Sequence, residues 1–158
     1  MNRVLVYLGR FALIIAGYAV ASLAGSAFLN LLYIGSLDLS PDEATGAITG
    51  STVFLIPFVA LFVAYFAFAP SIVAILAAEI LGRRDWLYYA LAGGAVSLVM
   101  LAFMFGARPY AGASQESIRL ALTIVGAGIV AGVAYWFVAG RSAGSWRDRV
   151  EPTMPPLT

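Results

Sequence analysis

Four long runs of apolar residues most strongly limit what this chain can fold into. They cover residues 11–34, 52–81, 86–106 and 120–139 and contain very few charges. A helix needs about 20 apolar residues to cross a hydrocarbon core that is roughly 30 Å thick. The chain is 62% hydrophobic and only 11% charged, whereas soluble domains average about 25% charged residues. We therefore predict an all-α membrane protein, a single four-transmembrane-helix bundle over residues 1–140 with a short tail at residues 141–158.

The positions of the arginines indicate how the bundle is threaded through the membrane. Cytoplasmic loops of membrane proteins are enriched in Arg and Lys. Seven arginines lie before the first run, between the second and third runs, and after the fourth run: Arg3, Arg10, Arg83, Arg84, Arg141, Arg147 and Arg149. We therefore predict that both termini are cytoplasmic. The use of Arg without any Lys is typical of GC-rich bacterial genomes, which suggests a bacterial inner membrane.

The amino-terminal residues also have some features of a secretory signal peptide. A basic start is followed by an apolar run and by small residues near Gly25 and Ala27, as in cleavable signals. However, the apolar character continues past these small residues to a full spanning length. We therefore expect an uncleaved first transmembrane helix, with signal cleavage as the alternative.

The stretch "AAEILGRRDW", residues 77–86, concentrates four charges between two apolar runs. Gly82 suits the end of a helix, so the stretch predicts a short cytoplasmic turn. Glu79 and Arg83 are spaced i, i+4, which favours an ion pair on a helix surface. Alternatively, Glu79 and Arg83 form a docking site for a partner protein or a lipid headgroup.

The second apolar run is unusually long and contains two prolines. Residues 52–81 would span about 45 Å as a helix, and Pro57 and Pro70 each remove a backbone donor, so we predict a kinked helix. Pro70 is a candidate hinge for gating. Before this run, Ser40 and Glu43 have the spacing of a capping box. Either a short helix begins there, or the second transmembrane helix begins early.

Two patterns at helical spacing suggest contact surfaces. An aromatic stripe consists of Phe54, Phe58, Phe62 and Phe66, with Tyr65 beside it. We expect it to contact lipid or a partner, and the alternative is a site for a quinone or another lipid tail. Small residues also recur every fourth position, most clearly at Gly128 and Gly132, and such spacing lets membrane helices approach closely. Packing within one bundle and packing between subunits both remain open.

The residue types that are missing exclude several functional classes. The chain has no Cys and no His, which removes thiol chemistry and the usual ligands of haem, zinc and copper. Buried charges mark transport and relay sites in membrane helices, but the middle of every run lacks them. The polar residues there are hydroxyl-bearing: Tyr18, Ser22, Tyr65, Ser71, Ser97 and Thr123. We therefore predict a protein that is not an enzyme and needs no cofactor or metal. The net charge of +1 gives no reason to expect binding to nucleic acid.

These expectations lead to two functional hypotheses. The first is a structural, accessory or assembly role in a larger membrane complex, through other subunits or self-association within the lipid bilayer. Its interaction residues would be Phe58, Phe62, Phe66, Gly128, Gly132, Glu79 and Arg83. The alternative is a homo-oligomeric channel or facilitator for a neutral solute or a lipid, which requires that Ser22, Tyr65, Ser71 and Ser97 converge on one cavity.

Overall fold

The computed structural model describes residues 3–106 and 115–145, and this part of the chain is all-helical. Its helices are α1 (Arg3–Gly35), α2 (Pro41–Gly50), α3 (Ile56–Leu81), α4 (Trp86–Phe105) and α5 (Gln115–Val138). Four helical segments are long and apolar enough to cross a membrane: Val4–Gly35, Pro41–Leu81, Trp86–Phe103 and Gln115–Val138. This confirms the predicted all-helical architecture with four candidate membrane spans.

The second helical segment, Pro41–Leu81, begins before the second apolar run, residues 52–81. The backbone N–H of Ser40 donates to Glu43 Oε2 at 3.0 Å, and the Ser40 hydroxyl donates to the same oxygen at 2.6 Å. These bonds fix the start of α2, and one π-helical turn, Ser51–Leu55, then carries the chain directly into α3. Of the two alternatives, a separate short helix or an early start of the second transmembrane helix, the structure shows the early start. Pro70 lies inside α3, and its role as a kink or hinge stays a prediction.

The helices form a bundle in which α5 packs against both α1 and α4. Helix α3 packs mainly against α1. Among the four contacts between neighbouring helices, the contact between α3 and α4 is the smallest. We call the end where α1 begins, α3 ends, α4 begins and α5 ends the basal end, and the opposite end the distal end. Gly82 closes α3 at the basal end in the left-handed conformation, with φ = 61°, as predicted.

The tight contact between α4 and α5 depends on glycines. A methyl group on Gly93 would overlap the carbonyl oxygen of Gly128, and one on Gly132 would overlap the carbonyl oxygen of Tyr89. Backbone therefore lies directly on backbone, which is how small residues bring membrane helices together. The structure places Gly128 and Gly132 against α4 of the same chain, and packing within one bundle accounts for their spacing.

Helices α1 and α3 are joined by hydrogen bonds from side chains to backbone. The Tyr18 hydroxyl donates to the carbonyl of Ala64 at 2.6 Å, and the Ser26 hydroxyl donates to the carbonyl of Ile56 at 2.7 Å. Both hydroxyls thereby obtain an acceptor in a region where water is scarce, since a polar group left unpaired in hydrocarbon is costly.

Candidate functional site

A buried ion pair ties three parts of the chain together at the basal end. Arg10, on α1, pairs with Glu79, near the end of α3, and both side chains are only 9% exposed. The Arg10 Nε–H donates to Glu79 Oε1 at 3.1 Å. A charge removed from water is stable only when its remaining hydrogen-bonding positions are also satisfied. The ion pair therefore needs further partners.

Those partners come from the segment that follows α5. Arg10 Nη1 donates to the carbonyl of Ala139 at 3.1 Å and to the Ser142 hydroxyl at 2.7 Å. On the other side of the pair, the backbone N–H of Gly144 donates to Glu79 Oε2 at 3.1 Å. We call residues 139–144 the strap. It closes the basal end of the bundle, and both ends of the strap are bound by the ion pair.

The strap packs too closely against the helices to tolerate larger side chains. Gly144 has φ = 73°, and a methyl group on it would lie 3.1 Å from the Cα of Gly82. Ala139 and Ala143 are fully buried, and the Arg84 Nε–H donates to the carbonyl of Ala143 at 3.0 Å. The strap is therefore an integral part of the bundle, whereas residues 146–158 of the predicted tail lie outside the described residues.

The predicted ion pair between Glu79 and Arg83 is wrong. Glu79 points inward to Arg10, whereas the Arg83 side chain is 58% exposed and lies 3.9 Å from Asp85. The reason is geometric: Gly82 ends α3 in a left-handed conformation before Arg83, so Arg83 does not lie on the same helical surface as Glu79. The i, i+4 rule applies only within a continuous helix.

The aromatic stripe lies on the outside of the bundle. The exposed fractions of Phe58, Phe62 and Phe66 are 60%, 53% and 50%. Their rings touch in series, with centroids 5.3 Å apart for Phe58 and Phe62 and 6.1 Å apart for Phe62 and Phe66. We call these three residues the aromatic ladder. No described part of the chain covers it.

A cavity of about 150 Å³ lies between the four helices. It is partly open, and its walls consist almost entirely of apolar atoms. Along α4 the lining extends from Tyr89 to Met100, a distance of about 16 Å at 1.5 Å per residue. At the basal end the rings of Tyr89 and Tyr135, whose centroids are 5.5 Å apart, form its floor. The cavity is thus elongated, and the two tyrosine rings lie at its basal end.

Three of the four polar residues expected at such a cavity are found there. Ser22, Ser71 and Ser97 line it, on α1, α3 and α4 respectively. Tyr65 does not, because its side chain is 79% exposed on the outer surface of α3. The Tyr135 hydroxyl is buried and finds no hydrogen-bond partner within residues 3–106 and 115–145. The convergence required by the channel hypothesis is therefore met in part.

Sequence reasoning missed Arg10 and Gly144 as partners of Glu79. One signal was present, because Arg10 immediately precedes the first apolar run and Glu79 lies near the end of the second, on the same predicted side of the membrane. Two opposite charges at a similar depth should attract each other strongly in a medium of low dielectric constant. The contribution of Gly144 had no comparable signal, since a backbone N–H carries no sequence information.

The described residues contain no group of three or more acidic, His or Cys side chains that could hold a metal ion. No protein-family model, curated protein or solved structure matches the chain.

Proposed function

We propose that this protein is a non-catalytic accessory or assembly subunit of a larger membrane complex. The observation that carries this proposal is the aromatic ladder on α3. Phe58, Phe62 and Phe66 form a continuous row of rings on the helix that packs least tightly into the bundle. Rigid aromatic side chains supply much of the binding energy at protein interfaces because they bury large areas with little loss of entropy.

The remaining surface is consistent with a role inside the membrane. Within residues 3–106 and 115–145, the four candidate spans make up most of the chain, and the connections at residues 36–40 and 82–85 are short. We further propose that the protein resides in a bacterial inner membrane with its basal end toward the cytoplasm. The exposed arginines Arg83 and Arg141 at that end support this orientation, because positive residues are retained on the cytoplasmic side.

Site-specific photo-cross-linking in native membranes tests the proposal. A benzophenone side chain introduced at Phe62 should give one dominant cross-linked product of defined mass. Phe103 is the matched control, because it is an equally apolar ring on α4 with 85% exposure. The same probe at Phe103 should react mainly with lipid. Equal protein cross-linking at both positions, or none at either, would contradict an interface at the aromatic ladder.

A second candidate function is a homo-oligomeric facilitator for a neutral solute or a lipid. The specific observation in its favour is the convergence of Ser22, Ser71 and Ser97 on one cavity. Reconstitution into liposomes tests this candidate, since a facilitator should accelerate the release of an entrapped neutral solute such as glycerol. Release at the rate of protein-free liposomes would count against solute transport.

A further inference from the structure

Arg141, in the strap, lies against two aromatic rings at the end of α5. Its guanidinium carbon is 3.9 Å from the ring centroid of Phe137 and 4.7 Å from that of Trp136. The indole N–H of Trp136 donates to the carbonyl of Arg84 at 2.7 Å, which ties this ring to the turn between α3 and α4. The two rings therefore hold the guanidinium group at a defined place on the surface of the basal end.

The donors of this guanidinium group are left without an acceptor in the described part of the chain. An aromatic ring attracts a cation through its π electrons, but it supplies no oxygen for the five N–H donors of arginine. Within residues 3–106 and 115–145, the Arg141 side chain forms no ion pair and no hydrogen bond, and the residue is exposed. Arg83 differs, because it lies 3.9 Å from Asp85. Arg141 is therefore a positioned cation whose donors are available to an external anion.

The position of Arg141 along the chain indicates where this anion lies. The fourth candidate span ends at Val138, so Phe137 is inside the span and Arg141 follows three residues after its end. The polar headgroups of a bilayer form a layer about 5–8 Å thick on each side of the hydrocarbon core. Because the guanidinium group touches the Phe137 ring, it lies where the hydrocarbon core meets this layer.

The surface around Arg141 combines an apolar side with a charged side. Phe137 is 63% exposed and presents an apolar ring on the side of the hydrocarbon core, whereas Arg141 presents a positive charge on the side of the headgroups. Arginine matches a phosphate group closely, because two of its N–H groups can bind two oxygens at once. A phospholipid offers both complementary parts, an acyl chain and a phosphate, in one molecule. A carboxylate on a partner protein would match only the charge.

We infer that Arg141, Trp136 and Phe137 form a binding site for an anionic phospholipid of the leaflet at the basal end. The phosphate group binds Arg141, and the first part of an acyl chain lies against Phe137. An anionic headgroup is favoured over a choline headgroup, because choline would bring a second positive charge toward Arg141. This site goes beyond the proposed accessory role and requires only that the four spans lie in a bilayer.

Quenching of Trp136 fluorescence by brominated lipids tests the site. In the variant Trp86→Phe/Trp146→Phe, Trp136 is the only tryptophan left. This protein is reconstituted into liposomes of phosphatidylcholine and phosphatidylglycerol, with bromine near the glycerol end of the acyl chains of one lipid or the other. We expect phosphatidylglycerol to occupy the site about fivefold more readily than phosphatidylcholine, the factor that corresponds to one arginine at an anionic surface.

Two substitutions that remove the same charge separate this site from the general charge of the basal end. Arg141→Gln should abolish the preference for phosphatidylglycerol at Trp136. Arg83→Gln is the matched control, because Arg83 is an exposed arginine at the same end that already has Asp85 as a partner. This control should keep most of the preference. Comparison of the two lipids within each variant removes any direct effect of the substitution on the fluorescence of Trp136.

Three results would overturn the inference. The first is equal quenching by the two brominated lipids at equal mole fractions in the protein that retains Arg141. The second is an equal loss of preference in Arg141→Gln and Arg83→Gln, which would assign the preference to diffuse charge. The third is the absence of quenching by either lipid, which would show that protein, such as a second copy of the chain, covers the rings. None of these results bears on the aromatic ladder, so the two proposals can fail separately.

Discussion

Arg10 and Glu79 are 69 positions apart in the sequence, yet they form the buried ion pair that joins α1, α3 and the strap. Three further hydrogen bonds connect the pair to the strap. Arg10 contributes donors to the end of α5 and to Ser142, and Glu79 accepts from the backbone of Gly144. The pair therefore holds the strap against α1 and the end of α3.

Removal of one partner should be much more damaging than removal of both. We expect Arg10→Met to lower the free energy of unfolding by about 3 kcal/mol, because the buried Glu79 carboxylate loses the guanidinium group of Arg10. The double variant Arg10→Met/Glu79→Met should lose clearly less than the sum of the two single variants. Unfolding in mixed micelles with increasing dodecyl sulfate measures these differences.

The exposed pair of Arg83 and Asp85 is the control for that experiment. Its atoms are 3.9 Å apart and both side chains are more than half exposed, so Arg83→Met should cost less than about 1 kcal/mol. A cost for Arg83→Met as large as that for Arg10→Met would contradict the assignment of Arg10 as the partner of Glu79.

Gly144 should be the most sensitive position of the strap. Gly144→Ala forces a side chain into a left-handed conformation and against the Cα of Gly82, at a cost of about 1–2 kcal/mol from the backbone alone. Since about 1.4 kcal/mol corresponds to a factor of ten, hydrogen exchange of the strap amides should be on the order of tenfold faster. Gly9→Ala, where nothing lies within 4 Å of the added methyl, should leave the exchange unchanged. Equal exchange in both variants would show that the strap does not need a glycine.

The glycines between α4 and α5 should also resist substitution. Gly128→Ala and Gly132→Ala place a methyl group on a carbonyl oxygen of α4, and overpacking of this kind typically costs about 1–3 kcal/mol. Gly46→Ala on α2 meets no neighbour and should stabilise its helix by up to about 1 kcal/mol. Thermal unfolding in detergent measures both effects. A neutral Gly132→Ala would mean that α4 and α5 are further apart than the structure shows.

The sequence was sufficient for features that depend on neighbouring residues or on total hydrophobicity. The four spans follow from apolar length, and the capping box of Ser40 and Glu43 and the helix end at Gly82 follow from local backbone chemistry. The periodic glycines on α5 indicated a close contact but did not name α4 as the partner. A spacing rule describes one helix surface and contains no information about which helix covers it.

The candidate sites were harder to predict for the same reason. The ion pair and the cavity are formed by residues from several helices, and all these helices are apolar around most of their circumference. An apolar helix in a membrane gives little indication of which surface faces inward, so Ser22, Ser71 and Ser97 could not be separated from Tyr65 in advance. The i, i+4 spacing indicated Arg83 as the partner of Glu79. Arg10 could not be identified in advance, because its distance from Glu79 depends on how α1 packs against α3.

Native mass spectrometry of the protein extracted from its own membranes in mild detergent tests the central claim most directly. The account predicts a defined complex with at least one further protein subunit, which is lost in Phe58→Ala/Phe62→Ala and kept in the control Phe11→Ala/Phe103→Ala. A monomer that carries only lipid, in both the unmodified protein and these variants, would contradict the accessory role.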